Sequence, residues 1–223
     1  MILIGQYDSR FVRRVGIALV LYGMAFDHWP WSVFGDADAL RAINPLTRVP
    51  VLVLADGTAL TESHLILDHL DGLAGEPLFP RQEPARHRAL RRAALATGLA
   101  DKAVSLFYER RLHDPVSPVW EARCATQIGA VLAVLETERA AAGGWWAGAT
   151  MGHEDIALAC ALRFVTEAHP ALFVANALPA LSAHSDRCGD RSVRRVTVGD
   201  RGEAGEHAHP SQRRPCALQR VRG

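Results

Sequence analysis

The first 75 residues carry short apolar runs separated by a segment in which hydrophobic positions fall on one side of a helix. Met1 to Tyr7 is predicted to be a strand, and Arg10 to Tyr22 a helix, because its apolar residues recur at helical spacing. Phe26 to Trp29 is predicted to form a second strand, parallel to the first through a right-handed crossover. The Asp-Gly pair within Pro50 to Leu60 predicts an antiparallel hairpin, and an amphipathic helix is predicted to begin at Glu62-Ser63.

From Pro84 onward the spacing of hydrophobic residues is helical. Pro84 is predicted at the first position of a long helix that reaches about Arg111, and a second long helix is predicted over Val119 to Ala142. A third helix, Asp155 to Ala168, is apolar on nearly all sides and is therefore expected at the centre of a bundle. Pro179 to Cys188 is predicted to be one more short helix.

Glycine and proline are concentrated between these two regions, which predicts an interdomain linker over residues 76–84. We therefore expect one domain over residues 1–75 and a helical domain over residues 85–188. Residues 189–223 contain no aromatic residue and are crowded with arginine, glycine and histidine, so we expect a disordered tail. The abrupt change in composition also motivates the hypothesis of a shifted reading frame near Cys188, with an evolved basic tail as the alternative.

Composition narrows the class of protein. With 223 residues, 49% of them hydrophobic, and a formal net charge of +1, the chain matches a globular protein of one large or two small domains. It has no apolar run of about 18 residues and no signal-peptide pattern after Met1, so we expect a cytoplasmic protein without a membrane partner. The balanced charge argues against a nucleic-acid partner.

The cysteines and histidines do not follow a metal-binding pattern. Four cysteines are scattered without a Cys-x-x-Cys or a zinc spacing, and we expect them to be reduced packing residues. His207, His209 and Cys216 are too loosely spaced to predict a metal site. No metal cofactor is therefore expected.

Two residue pairs in the first domain have the chemistry to bind a peptide-like ligand. Pro50 lacks an N–H and biases Val49 toward extended geometry, which leaves the Val49 backbone available to a ligand. Glu62 and Ser63 open a helix whose N–H groups, hydroxyl and carboxylate together suit a zwitterionic amino-acid head group. Two structural alternatives stay open: Pro50 could be an ordinary proline at the start of a strand, and Ser63 could serve only as a helix cap.

This order of Val-Pro turn, hairpin, Glu-Ser pair and helix resembles the glutathione-binding half of the glutathione transferase family. The resemblance implies an α+β, thioredoxin-like N-terminal domain followed by an all-helical C-terminal bundle. It implies that Val49 pairs its backbone with the cysteinyl part of glutathione, that Pro50 is cis, and that Glu62 and Ser63 hold the γ-glutamyl end. Arg48 stands where the family often has a residue that contacts the tripeptide's backbone or its glycine end, with solvated surface as the alternative.

Ser9 lies at the junction of the first predicted strand and helix, where a bound thiol would meet the positive end of the helix dipole and a hydroxyl donor. The segment resembles the serine-type classes of the family, such as zeta and theta, in which the serine before the helix stabilises the thiolate. Tyr7 is the alternative donor, because other classes use a tyrosine at the end of the first strand. Arg10 and Arg13 are expected either to steer an anionic substrate or to face solvent.

The resemblance therefore implies a cytoplasmic, homodimeric detoxification enzyme that activates the thiol of glutathione, its co-substrate, and adds it to a small hydrophobic electrophile. The first domain has no cysteine, which argues against chemistry through a thiol of the protein itself. Conjugation, cis-trans isomerisation and reductive dehalogenation all need the same thiolate and stay open. The alternatives are a non-catalytic interaction module with the same fold, and an inactive product of the shifted reading frame.

Overall fold

The computed structural model describes residues 1–189, which form two compact units, Met1–Leu67 and a unit that begins at Asp68. The first unit has the thioredoxin-like order of elements that the sequence predicts. It holds β1 (Ile2–Ile4), α1 (Arg10–Leu21), β2 (Asp27–Trp29), α2 (Ala37–Ile43), β3 (Val51–Val53), β4 (Ala59–Thr61) and the start of α3 (Ser63–Leu73).

The register of the sheet decides which loops meet. The strand order is β2-β1-β3-β4, with β1 parallel to β2 and antiparallel to β3, and with β3 antiparallel to β4. Ile4 pairs with Val51, and Val51 pairs with Thr61. The chain that follows β1, the chain that precedes β3 and the chain that follows β4 therefore leave the sheet at the same end.

A small buried cluster lies directly behind this end of the sheet. Ile4, Leu40 and Val51 are completely buried and pack together, with Trp29 and Trp31 partly buried against them. Burying side chains of this size is the main favourable term in folding, about 1.5–3 kcal/mol for each one. The core therefore supports the sheet at the point where the three loops emerge.

The second unit is helical, as predicted. Its long helices are α4 (Ala85–Leu112), α5 (Pro118–Ala140) and α6 (His153–Ala168), and the shorter α7 (Pro179–Gly189) follows them. Every residue from His153 to Leu162 is buried, which confirms α6 as the central helix. Pro84 precedes α4 as its cap residue, so the prediction that it occupies the first helical position is wrong, whereas Pro118 does occupy that position in α5.

The start of α6 is fixed by a buried carboxylate. Asp155 accepts a hydrogen bond from the N–H of Gly152 at 3.1 Å and from Arg139 Nη1 at 3.2 Å. Gly152 is the cap residue, and because glycine has no side chain only the Asp155 half of a capping box is formed. The helix therefore begins at His153, two residues earlier than the predicted start at Asp155.

Glu154 fills the space that a side chain on Gly152 would need. A Cβ built on Gly152 would lie 2.7 Å from Glu154 Oε2, closer than real contacts allow. Glu154 is only 1% exposed, and burial raises its pKa to about 7, with the neighbouring Asp155 carboxylate adding to the rise. The first turn of α6 therefore holds a carboxyl group that is costly to ionise.

The remaining sequence expectations meet the structure only in part. Cys124, Cys160 and Cys188 are buried free thiols, consistent with a packing role. No helix within residues 1–189 is long and apolar enough to cross a membrane, and those residues contain no group of three or more His, Cys, Asp or Glu side chains able to hold a metal ion. The expected tail, the shifted reading frame and the residues His207, His209 and Cys216 lie outside the described residues.

Replacing Glu154 with glutamine is expected to flatten the pH dependence of stability. The pKa of Glu154 is about 7 in the folded protein and 4.5 as its ordinary value, so the folded state keeps a proton that the unfolded chain releases across this window. The free energy of unfolding should then fall as the pH rises from about 4.5 to about 7, by as much as about 3 kcal/mol, and Glu154→Gln should remove that slope. Urea unfolding at several pH values measures it, with Glu76→Gln at an exposed position as the control. Equal slopes in the wild type and Glu154→Gln would contradict the account.

Candidate functional site

Most of the residues predicted to bind glutathione lie where the three loops leave the sheet. Ser9 follows β1 at the start of α1, Val49 and Pro50 directly precede β3, and Glu62 directly follows β4. The pairing of Ile4 with Val51 and of Val51 with Thr61 brings these segments to one end of the sheet. The structure thus brings together segments that are far apart in the sequence, from Ser9 to Ser63.

Gly5 is the residue on which two of these loops converge. It directly follows β1 and has a φ of +126°, a conformation that favours glycine. A Cβ on Gly5 would lie 2.6 Å from Val12 Cγ2 of α1 and 2.8 Å from Val49 Cβ. Only a residue without a side chain therefore allows α1 and the Val49 loop to approach β1 this closely. This conformation also ends β1 at Ile4, so the predicted strand over Met1 to Tyr7 is too long.

Ser9 caps the N-terminus of α1. It has extended backbone angles, and its Oγ accepts a hydrogen bond from the N–H of Val12 at 3.4 Å. A hydroxyl that accepts one bond still has its own hydrogen to donate, so capping and thiolate binding are compatible. The first turn of α1 contains no acidic residue. The helix dipole therefore presents its positive end beside Ser9 without a carboxylate in that turn to offset it.

The arginines of α1 are less exposed than the sequence suggests. Arg13 is only 3% exposed, so the expectation that it faces solvent is wrong, and Arg10 is half-buried with its guanidinium carbon 5.3 Å from the centroid of the Phe11 ring. Arg14 is also buried, and its Nη1 donates to Ser63 Oγ at 3.4 Å. Positive charge on α1 therefore lies next to the start of α3, in addition to the dipoles of both helices.

Tyr7 points along α1 rather than at its N-terminus. Its ring stacks on the ring of His28, with centroids 4.1 Å apart and planes inclined by 24°. A Cβ built on Gly16 would lie 2.7 Å from Tyr7 Cε1 and 3.0 Å from its hydroxyl oxygen. Gly16 is in the second turn of α1, so the Tyr7 hydroxyl lies beside that turn, whereas Ser9 lies at the helix end.

The Val49 loop is shaped by Asn44, a buried residue that directly follows α2. Asn44 Nδ2 donates to the carbonyl of Arg48 at 2.9 Å, and Asn44 Oδ1 accepts from the N–H of Leu46 at 3.1 Å. The peptide bond between Val49 and Pro50 is cis, as the family resemblance implies. Among residues 1–189, no hydrogen bond is made by the N–H or the carbonyl of Val49. Its backbone is therefore available to a ligand.

The chain reverses sharply at Glu62 to enter α3. Glu62 has a φ of +65°, a left-handed conformation that costs a non-glycine residue about 1–3 kcal/mol and is enriched at functional sites. Its Oε1 lies 3.4 Å from Arg48 Nη1, and both side chains are about half exposed. Such a surface pair contributes little to stability. Its clearer effect is to bring Arg48 and Glu62 together at the edge of the site.

Ser63 is the first residue of α3, and the N–H of Ile66 donates to the carbonyl of Glu62 at 3.0 Å. Glu62 is therefore the cap residue, and the alternative that Ser63 serves only as a cap does not fit. The Ser63 side chain is 3% exposed and is oriented by Arg14. Arg14 is thus a supporting residue without a local sequence signal, because only the fold brings it near Ser63. Asn44 acts within its own loop, but its residue type does not show that it is buried there.

Two family profiles match this chain. The profile described as "Glutathione S-transferase, N-terminal domain" matches residues 3–78, and the profile described as "Glutathione S-transferase, C-terminal domain" matches residues 118–187. A probable glutathione S-transferase of Oryza sativa subsp. japonica is 30% identical over 203 residues, which cover 85% of each protein. A glutathione S-transferase of Arabidopsis thaliana is 32% identical over 119 residues, 52% of this chain and 46% of that protein, so this match spans about half of its length.

Solved structures give the same result. A glutathione transferase family member from Pseudomonas fluorescens Pf-5, solved with bound glutathione, superposes with a TM-score of 0.75 at 31% identity and covers 87% of this chain and 97% of its own. The profiles and this structure agree with the thioredoxin-like first unit and the helical second unit described above. This chain belongs to the glutathione S-transferase family.

Proposed function

We propose that this protein activates the thiol of glutathione and adds it to a small hydrophobic electrophile. The observation that carries the proposal is the convergence of Ser9, the unbonded Val49 backbone and the Glu62-Ser63 helix start at one end of the sheet. Together they offer a hydroxyl, a peptide-like pairing edge and a head-group site in one place. The relative from Pseudomonas fluorescens, which has bound glutathione, supports this choice of ligand.

Each end of the tripeptide has a partner of suitable chemistry. The N–H and carbonyl of Val49 pair with the cysteinyl residue, as neighbouring strands pair. The Glu62 carboxylate binds the ammonium group of the γ-glutamyl residue. Ser63, whose hydroxyl accepts a hydrogen bond from the Arg14 guanidinium, binds the carboxylate of the same residue at the N-terminus of α3. Arg48 reaches the tripeptide's backbone or its glycine carboxylate.

Ser9 and the end of α1 supply enough free energy to ionise the bound thiol. A free thiol has a pKa of about 8.5, and lowering it by about two units requires about 2.7 kcal/mol. A hydrogen bond from a hydroxyl to a charged group contributes about 1.5–3 kcal/mol, and a helix terminus about 0.3–1 kcal/mol. No general base is therefore needed, and orientation of the electrophile supplies the rest of the acceleration.

Tyr7 is the weaker candidate for the thiol donor. Its hydroxyl lies against Gly16 in the second turn of α1, whereas Ser9 lies at the helix end where the dipole acts. We therefore assign thiolate stabilisation to Ser9 and a packing role to Tyr7.

The wider role follows from the family. We propose a cytoplasmic detoxification enzyme in which residues 1–75 bind glutathione and residues 85–188 form the helical domain that receives the electrophile. We further propose that the protein is a homodimer, as the family resemblance implies.

Ser9→Ala should lower the rate of glutathione conjugation more than Tyr7→Phe does. Losing a hydroxyl bond to the thiolate removes about 1.5–3 kcal/mol, which corresponds to about a tenfold to hundredfold loss in kcat. Tyr7→Phe keeps the ring on His28 and should change kcat less than about threefold. Steady-state kinetics with an activated chloronitrobenzene measures both variants.

A larger loss in kcat for Tyr7→Phe than for Ser9→Ala would show that Tyr7, not Ser9, donates the hydrogen bond to the thiolate. A folded wild type that binds glutathione but conjugates no electrophile from a broad panel would favour the non-catalytic module.

Gly5→Ala should weaken both folding and glutathione binding. The methyl group of the alanine would lie less than 3 Å from Val12 and Val49, and the alanine backbone would have to adopt an unfavourable positive φ. The combined cost is about 2–4 kcal/mol. Gly57→Ala is the matched control, because Gly57 also has a positive φ, +87°, but has no atom within 4 Å of its Cβ position. Calorimetry of unfolding and of glutathione binding measures both variants. Equal losses in the two would show that φ alone matters and that the close approach at Gly5 does not.

Glu62→Gln should weaken binding of glutathione about tenfold or more, because a neutral amide replaces a charge-assisted bond to the ammonium group. A glutathione analogue that lacks the α-amino group is the matched ligand control. It should bind the wild type and Glu62→Gln with similar affinity, and titration calorimetry gives all four dissociation constants. If the variant weakens the analogue as much as it weakens glutathione, Glu62 does not contact the ammonium.

A further inference from the structure

The segment between β1 and α1 is attached to the neighbouring strand β2 through Gly5. The N–H of Gly5 donates to the carbonyl of Trp29 at 2.9 Å, and the carbonyl of Gly5 lies 2.8 Å from Nε2 of His28. Both bonds come from consecutive residues of one strand. Strand β2 thus holds Gly5 by a backbone bond at its N–H and by a side-chain bond at its carbonyl.

The bond to His28 defines the tautomer of that ring. A backbone carbonyl only accepts hydrogen bonds, so Nε2 of His28 carries the proton and donates it. The His28 ring also stacks on Tyr7, two residues after Gly5, with centroids 4.1 Å apart. One side chain therefore contacts the chain at the start of the segment and again in its middle.

This segment leads directly to the candidate thiol donor. The N–H of Ser9 donates to the carbonyl of Gln6 at 3.1 Å, which closes the turn that follows Gly5. Gly5 also contacts Val12 of α1 and Val49, and its position leaves no space for a side chain. A shift of Gly5 therefore moves both the turn that presents Ser9 and the edge that receives the cysteinyl backbone.

We propose that His28 is a positioning residue for the thiol site, which holds Gly5 and Tyr7 so that Ser9 is aligned with the sulfur of glutathione. The functional part of this inference rests on the proposed function. His28 acts through Gly5 and need not touch the substrate. Its loss should affect the pKa of the bound thiol, because a hydroxyl bond to a thiolate weakens steeply with distance and angle.

Two variants distinguish the effect of the His28 hydrogen bond to Gly5 from the effect of its ring stacking on Tyr7. His28→Phe keeps an aromatic ring for Tyr7 and loses the donor to Gly5, whereas His28→Gln keeps an N–H donor and loses the stacking. His87→Phe, at an exposed position in α4, is the control for a surface histidine.

Amide hydrogen exchange in the ligand-free full chain gives the first readout. Losing one hydrogen bond should speed exchange at the Ser9 amide about threefold to tenfold in His28→Phe, with a smaller change in His28→Gln and none in His87→Phe. Exchange at buried amides of α6 should stay as in the wild type, which shows that the protein remains folded. Unchanged exchange at Ser9 in His28→Phe would overturn the proposal.

Titration of the bound glutathione thiol gives the second readout. The pKa of the thiol should rise by about half a unit to one unit in His28→Phe and recover most of that in His28→Gln. Faster exchange without a change in this pKa, or equal effects of both variants, would overturn the positioning role. A wild type that fails to lower the thiol pKa would refute the proposed function instead, and exchange at Ser9 would still decide whether His28 holds the segment.

Discussion

The close approach of three chain segments at Gly5 is the constraint on which the rest of the site depends. Val12 of α1 and Val49 of the cis-proline loop both come so near to Gly5 that a single methyl group would not fit. The sheet register makes this approach necessary, because Ile4 pairs with Val51 and the flanking residues must pass each other. A tightly packed interior transmits small displacements, so the geometry of the loops is coupled through this contact. The proposed thiol donor Ser9 and the backbone edge at Val49 are consequently fixed relative to each other.

Around this contact the site is built from helix ends and positive charge. α1 begins at Ser9 without an acidic residue in its first turn, and α3 begins beside the left-handed Glu62. Arg14 extends from α1 to Ser63 and so joins the two helix starts. An anionic sulfur at one helix and an anionic carboxylate at the other are both favoured by such an arrangement. In the proposed binding mode, Glu62 contributes the negative group that pairs with the ammonium of glutathione.

Much of this was readable from the sequence, because it depends on local chemistry. The cis proline after Val49 and the Glu-Ser start of α3 follow from residue type and from the family resemblance, and the secondary structure agrees to within a few residues. The order of elements also follows from the hydrophobic spacing. The helical second unit was predicted in the same way.

The rest depends on burial and on contacts that residue type and spacing do not show, some between distant residues and some within one loop. The burial of Arg13, the bond from Arg14 to Ser63 and the action of Asn44 on Arg48 have no periodic signal, because a single polar residue can be buried or exposed at the same helical position. A glycine after a strand suggests a turn, but it does not show that two valines will crowd it. Sequence reasoning therefore identified the groups that we propose to contact a ligand, but not the groups that hold them in place.

The central claim is that this protein makes the sulfur of bound glutathione a thiolate at neutral pH. The most direct test is a pH titration of the thiolate absorbance of glutathione bound to the wild-type protein, compared with free glutathione under the same conditions. The account predicts that the pKa of the bound thiol lies about two units below the free value of about 8.5. Glutathione that binds with an unchanged thiol pKa would contradict it.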